Sequence, residues 1–378
     1  MAFDESGQLE GKQQVVTRIQ YARRRRRVLS AVVASGLDGA LLTAPVNVRY
    51  LTGFTGTNGW LLVTVEQTFF LTEPRYEQQA FTQVSDLSMV GALTGLQEAL
   101  AEAVVTSGVG HIGFEPAHVT ATLREQLEAA VKVEWVALAA LVETQRRCKD
   151  AGEIEAIRAA LVVSEAALRE VVNGLAPGQT EIEVAADLEY YCRHHGAESM
   201  AFETIVASGP RSALPHGVAS ARCIEAGEPV MIDMGCKLNG YCSDLTRMIW
   251  CGGAPDPRWL EAYDLVNRAR AAALATVGPG VATIDVDAAA RTVIEGAGYG
   301  AAFVHGIGHG VGLEIHETPK VSSRSDGKLE VDMVLTIEPG VYLEGEFGIR
   351  IEDLVCVTDD GCERLTTLGT EPILRGTA

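Results

Sequence analysis

A Pro-Gly dipeptide and the helical pattern behind it occur twice in this chain, and that repeat restricts the fold more than any other feature. Pro177-Gly178, Ile182, Val184 and Ala186 return 102 residues later (177 to 279) as Pro279-Gly280, Ile284, Val286 and Ala288. Each copy follows a long helical pattern, and each is followed by apolar, strand-like runs that carry acids. Val230-Met231-Ile232-Asp233 corresponds loosely to Leu335-Thr336-Ile337-Glu338, and Asp244 corresponds to Glu352. One shared dipeptide would mean little. Helix, Pro-Gly, helix and acid-bearing hairpin in the same order mean much more. The period is too long for a solenoid, so the expectation is two pseudo-symmetric halves of one domain.

The segments before the repeat divide the chain further. From Gly152 to about Asn173, Ile154, Ile157, Leu161, Leu168, Val171 and Val172 fall at helical spacing, with Asn173-Gly174 as the stop signal. Thr180 and Glu183 form a capping-box pattern that opens a second helix ending near Gly196. The first ~145 residues read as an α/β unit. A helix ends at Gly36, Gly39 to Leu42 is a buried strand, and strands Trp60 to Val65 and Thr68 to Leu71 follow an Asn58-Gly59 turn. The polar stretch Arg146-Arg147 and Lys149-Asp150 marks the boundary, giving domains 1–147 and 148–378.

With 47% hydrophobic and 21% charged residues in 378, the chain can bury a sizeable core. That excludes a disordered tail, a collagen-like fibre and a small disulfide scaffold. Lys plus Arg number 31 against 50 Asp plus Glu, a formal net charge of −19. Such a surface repels phosphate backbones and anionic lipid, so neither nucleic acid nor membrane is expected as a partner. The eight cysteines form no Cys-x-x-Cys pair and read as reduced thiols of a cytoplasmic protein. The run Arg23 to Arg27 before Val28-Leu29-Ser30-Ala31-Val32-Val33 resembles an export signal superficially. Its spacing fits one helix better, with Val28, Leu29, Val32 and Val33 inward and the arginines outward.

Asp233 and Asp244 flank a turn at Leu238-Asn239-Gly240. Any odd register sum places both carboxylates on one face of the hairpin. They are directly opposite if the loop is Leu238-Asn239, and diagonal neighbours if it is Asn239-Gly240. Two like charges this close among apolar neighbours repel unless a cation binds or one takes a proton. Glu338 and Glu352 also sit in strand-like apolar runs, and Arg350, two residues before Glu352, would share its face on a strand and orient carboxylates there. A single such acid is usually a surface residue; four at repeat positions are not.

Three histidines, His305, His309 and His316, lie within twelve residues, separated by glycines that leave room around the imidazoles. His216, in Leu214-Pro215-His216-Gly217, is a weaker candidate. His194-His195, His111 and His118 read as structural or solvated. Asp233, Asp244, His309, Glu338 and Glu352 make an oxygen-rich, single-imidazole ligand set. Four carboxylates exceed what one divalent cation needs, so two cations sharing bridging carboxylates fit better, with Mn²⁺, Co²⁺, Fe²⁺ or Zn²⁺ favoured over a thiolate-type zinc. Such a pair holds a bridging hydroxide and polarises a carbonyl, the machinery of hydrolysis.

These residues closely resemble the Xaa-Pro aminopeptidase and prolidase family. The likeness lies in Val230 to Arg247, in His305 to Glu317, in Ile337-Glu338-Pro339-Gly340 and in Arg350-Ile351-Glu352-Asp353. It extends more weakly to Asn47-Val48-Arg49-Tyr50-Leu51-Thr52-Gly53-Phe54. The resemblance implies an α+β chain: a pita-bread (creatinase/aminopeptidase) catalytic domain with an internal pseudo-twofold, behind a smaller α/β creatinase-like N-terminal domain. It implies a dinuclear centre on Asp233, Asp244, His309, Glu338 and Glu352, with Asp244 and Glu352 bridging and two divalent ions, Mn²⁺ first and Co²⁺ or Zn²⁺ as alternatives. His216, His305 and His316 would contact substrate and transition state, Glu338 would double as acid/base, and Arg350 would support the ligands. The substrates would be peptides with proline at the second position, and the protein a homodimer. Methionine aminopeptidases share the ligands but not these sequence contexts; creatinase and the binding-only histone-chaperone relatives keep the fold and lack the ligands.

Overall fold

The computed structural model describes residues 11–93 and 95–375, with side chains from residue 20 onward. The chain divides into two compact units, Met1–Gln145 and Arg146–Ala378.

The first unit runs α1 (Gly11–Ala34), β1 (Gly39–Leu42), α2 (Pro45–Thr52), β2 (Gly59–Thr64), β3 (Thr68–Thr72), α3 (Pro74–Gln83), β4 (Ser88–Gly91), α4 (Leu96–Ser107), β5 (His111–Phe114), α5 (Ala121–Ala130) and β6 (Glu134–Ala137). The strands form one mixed sheet in the order β4-β3-β2-β1-β5-β6. β1 and β2 are buried along their whole length, which is why they read as continuous apolar runs and not as alternating ones. Leu41, Leu62 and Leu71 pack with Leu100 of α4 and Leu127 of α5.

One local expectation fails here, and another holds only in part. The arginine run lies on α1, but Arg24 and Arg25 are buried and Val33 is exposed. Arg24 Nη1 donates to Tyr50 O at 3.0 Å and Arg25 Nη1 to Leu51 O at 2.8 Å. These carbonyls belong to the last turn of α2, where no intrahelical donor reaches them. The chain bends at residues 56–58 ahead of β2, as expected, but Asn58 and Gly59 take no positive φ. A Cβ on Gly59 would lie 2.8 Å from Phe70 Cζ, so packing against the ring requires glycine there.

After α6 (Glu143–Arg146), the second unit opens with α7 (Ala151–Asn173), α8 (Glu181–His194), β7 (Ser199–Met200), β8 (Ile205–Ser208), β9 (Glu228–Met234), β10 (Cys236–Leu238), β11 (Tyr241–Cys242) and β12 (Leu245–Cys251). The second half follows: α9 (Pro257–Thr276), α10 (Thr283–Gly296), β13 (Gly308–Gly310), β14 (Glu317–Val321), β15 (Val334–Ile337), β16 (Gly340–Leu343), β17 (Phe347–Arg350), β18 (Asp353–Thr358) and β19 (Gly361–Arg364). β20 (Ile373–Arg375) then pairs in parallel with β12. The helices after the two Pro-Gly turns, α8 and α10, are both 14 residues long and are offset by the same 102 (181 to 283, 194 to 296). Capping boxes start α7 at Asp150 and α8 at Thr180. The two main sheets have the orders β20-β12-β9-β8 and β14-β13-β15-β18-β19, and each contributes acids to the site.

The hairpin that orients the first two acids has its turn at Asn239-Gly240, with φ of +50° and +88°. Both left-handed residues match the twist of the flanking strands. Asp233 is therefore opposite Thr246, and Asp244 is its diagonal neighbour. Arg350 and Glu352 do not share a strand: β17 ends at Arg350 and Glu352 lies in the crossing to β18. All eight cysteines are free. No helix among the described residues is long and apolar enough to cross a membrane.

Candidate metal centre

Asp233 near the end of β9, Asp244 just before β12 and Glu352 just before β18 are all buried, and one oxygen from each lies within 4.8 Å of the others. His309 on β13 closes the group: its Nε2 is 3.6 Å from Asp244 Oδ2 and 3.4 Å from Glu338 Oε1. The other ring nitrogen, Nδ1, is 3.1 Å from Gly310 O and donates to it, which leaves Nε2 as an acceptor in the neutral ring. A lone pair on nitrogen thus faces lone pairs on two carboxylates. Asp233 Oδ1 is buried and has no hydrogen-bond partner among the described residues. Only protons or cations reconcile such a convergence. Four carboxylates and one neutral imidazole suit hard divalent ions, so the residues present fit a metal site.

The remaining polar atoms hold the carboxylates in place. Thr246 Oγ1 donates to Glu352 Oε2 at 2.7 Å, and Thr336 Oγ1 donates to Glu338 Oε1 at 3.0 Å. Arg350 Nη2 donates to Asp233 Oδ2 at 2.5 Å, while its Nη1 reaches Tyr342 OH at 2.7 Å and Pro215 O at 3.0 Å. Arg247, itself buried, fixes the backbone of Glu352 through its carbonyl and pairs with Asp353 at 2.8 Å. Thr246 and Thr336 lie two residues from Asp244 and Glu338, so strand alternation would have pointed to them. Tyr342 on β16 is the diagonal neighbour of Arg350 on β17 in one hairpin, so the turn at Glu344-Gly345 is the signal that could have found it.

The electrostatics follow from burial. Desolvation, then the neighbouring carboxylates, raise Asp244 and Glu352 well above the ordinary carboxylate range. Glu338 is pushed up to about 7, chiefly by burial, with Arg350 opposing. Burial also opposes the charge on Arg350, yet Tyr342, Asp233 and Glu338 outweigh it and hold its pKa above the usual value.

The other histidines surround this cluster. His316 is exposed, with its ring centroid 4.4 Å from that of His309 in an edge-on arrangement. Partial desolvation of the ring, then the nearby His309 and His216, lower its pKa. His305 lies 2.8 Å from Tyr342 OH through Nε2 and 2.7 Å from Gly306 O through Nδ1. Since Tyr342 accepts from Arg350, its own hydrogen goes to His305 Nε2. Burial drives the His305 pKa down to about 4, in keeping with a neutral acceptor ring. His216 is exposed on the loop whose Pro215 carbonyl Arg350 holds.

Comparison with known proteins agrees with this arrangement. Residues 24–148 match the creatinase/prolidase N-terminal domain, and residues 155–359 match metallopeptidase family M24. The chain is 35% identical over 350 residues to the Xaa-Pro dipeptidase of Pyrococcus horikoshii, covering 92% of this chain and 98% of that one. Among solved structures, an Xaa-Pro dipeptidase from Bacillus anthracis superposes with a TM-score of 0.91 at 38% identity, over 94% of this chain and 99% of that chain. An X-Pro aminopeptidase from Thermotoga maritima gives 0.88 at 38% identity, over 93% and 99%. With a mixed α/β pita-bread domain behind a creatinase-type N-terminal domain, the chain belongs to metallopeptidase family M24 and is a metal-dependent peptidase.

Proposed function

We propose that the protein hydrolyses the bond between the first residue of a peptide and a proline at the second position. The convergence of His309 Nε2 with oxygens of Asp244 and Glu338 beside the unpaired Asp233 Oδ1 supports metal-dependent hydrolysis, and the likeness to Xaa-Pro dipeptidases supports the choice of bond. Asp233, Asp244, His309, Glu338 and Glu352 would hold two divalent cations, Mn²⁺ in preference to Co²⁺ or Zn²⁺. Bound there, the cations supply the positive charge that polarises the scissile carbonyl and acidifies a water.

The chain's own groups do the rest. Glu338 takes the proton of the attacking water and passes it to the proline nitrogen, which leaves only once protonated. His316, neutral and exposed, donates to the oxygen of the carbonyl as it becomes tetrahedral. His216 and His305 complete the substrate side, and Arg350 keeps Asp233 aimed at the centre. The names of the relatives include both dipeptidases and an aminopeptidase, so peptide length is part of the test.

The test is a cleavage panel of Xaa-Pro dipeptides, longer Xaa-Pro-Yaa peptides and Met-Ala-Ser controls, each with Mn²⁺, Co²⁺ or Zn²⁺. Metal-dependent cleavage confined to Xaa-Pro bonds is expected. Cleavage of the Met-Ala-Ser control alone would make it a methionine-type peptidase, and peptide binding without cleavage a nonenzymatic relative. We also place the protein in the cytoplasm as a homodimer; a monomer in light scattering at micromolar concentration contradicts that assembly.

A further inference from the structure

Asp287 and Arg291 form a pair on α10 that the chemistry above does not use. Asp287 is fully buried, and Arg291, one turn on, grips it with Nε at 2.7 Å and Nη2 at 3.1 Å. The guanidinium spends its other bonds on the segment that carries His305. Nη1 donates to Phe303 O at 3.2 Å and Nη2 to His305 O at 2.9 Å. Its carbon also sits 4.2 Å from the centroid of the Phe303 ring. Asp287 Oδ1 accepts from Ile307 N at 3.2 Å. The pair therefore holds the backbone at residues 303, 305 and 307, at His305 and on either side of it. An ordinary ion pair one helical turn apart makes no such bonds to a distant segment.

The internal repeat supplies a comparison within the same chain. The offset of 102 that relates α8 to α10 places Ala185 at the position of Asp287 and Glu189 at that of Arg291. It places Glu203, exposed, at the position of His305. Ala185 and Glu189 cannot form the pair, and no imidazole stands at the position of His305. The clamp and the histidine it holds occur together in one copy of the repeat and are both missing at the matching positions of the other.

We propose that Asp287 and Arg291 are positioning residues that hold the His305 segment so that its imidazole meets Tyr342. From there the contacts run through Tyr342 and Arg350 to Asp233. Site groups work only when held within about 0.5 Å of their productive place, and a grip on the backbone of the residue itself provides that. The kinetic arm of the test rests on the role given to His305 above; the spectroscopic arm does not.

Arg291→Met and Arg291→Lys are compared in the full chain loaded with Zn²⁺ and labelled with ¹⁵N-histidine. In Arg291→Met the His305 Nε2 resonance should move away from its hydrogen-bonded position. With leucylproline as substrate, kcat should fall ~10–100-fold at little change in KM, the size of a misplacement of about 1 Å. Arg291→Lys keeps the charge beside Asp287 but not the fork, so it should recover only part of the loss, and it carries the spectroscopic arm if Arg291→Met does not fold. In a His305→Ala background, Arg291→Met should cost nothing more. An unmoved His305 resonance, or a further loss in that background, overturns the clamp. A moved resonance combined with full hydrolysis by His305→Ala upholds the clamp and removes His305 from the chemistry.

Discussion

Glu338 is where pH acts most directly on this molecule. Burial raises its pKa from 4.5 to about 7, so the folded, metal-free protein keeps a proton there that the unfolded chain has already released. Between those two values the folded state binds more protons, and its stability falls as pH rises. His305 works in the opposite sense: its pKa is driven by burial from 6.5 to about 4, which removes stability as pH falls through that range. The comparison must therefore be made mutant against wild type. Metal-free Glu338→Gln should gain on wild type as pH rises from 4.5 and level off above about 7, by roughly 3 kcal/mol at most. Urea denaturation at several pH values measures this, and a constant gap would contradict it. His316→Ala should lower kcat ~10²–10³-fold with KM nearly unchanged. Its metal content should match wild type; loss of metal would exchange the roles of His309 and His316. At this scale the sequence made the acids legible because strand alternation and the repeat both pointed to them. Tyr342 was passed over, although the hairpin across Glu344-Gly345 sets it diagonal to Arg350, because a tyrosine carries no charge to draw notice. The sequence misled on Arg24 and Arg25, because a cation can be buried wherever helix carbonyls await a donor.

Elements were legible where their ends are chemically marked. Asp150 with Glu153 and Thr180 with Glu183 start α7 and α8 as their side chains require, and Asn239-Gly240 sets the register of Asp233 against Asp244. The placement of β14 was not legible, because it depends on residues far upstream. Glu317, at its start, is nearly buried and bonds Arg146 Nη2 at 2.5 Å and Lys149 Nζ at 3.2 Å. Burial opposes its charge, but Lys149 and Arg146 outweigh it and lower its pKa. Glu317→Ala would take from two buried cations the carboxylate they share. A loss of about 3–5 kcal/mol is expected, the usual result of removing one partner from a buried pair. A melting temperature equal to wild type would mean that the pair has relaxed into solvent.

On the scale of the whole molecule, the site joins the two halves of the repeat: Asp233 and Asp244 come from the first, His309, Glu338 and Glu352 from the second. An ion that binds the folded chain alone stabilises it by mass action, about 2.7 kcal/mol at a hundredfold excess over Kd. Chelator should therefore lower the melting temperature, and added Mn²⁺ should restore it. Asp244→Asn, relieved of like-charge repulsion, should melt no lower than chelated wild type and respond little to Mn²⁺. An equal response in both would remove Asp244 from the metal site. The order of synthesis adds a different constraint. Arg247 is fully buried and donates to the carbonyls of Leu368 and Gly369, the latter 122 residues downstream, and the outer edge of β12 is covered by β20. A ribosome making this chain delivers all four acids before the strand that shuts the sheet beside two of them. A chain stopped after Thr367 contains every donor and should still fail to retain its ions through gel filtration; retention would show that the sheet closes without β20. On that expectation, maturation of the centre would wait, during translation, for a stretch of chain that holds none of its proposed ligands.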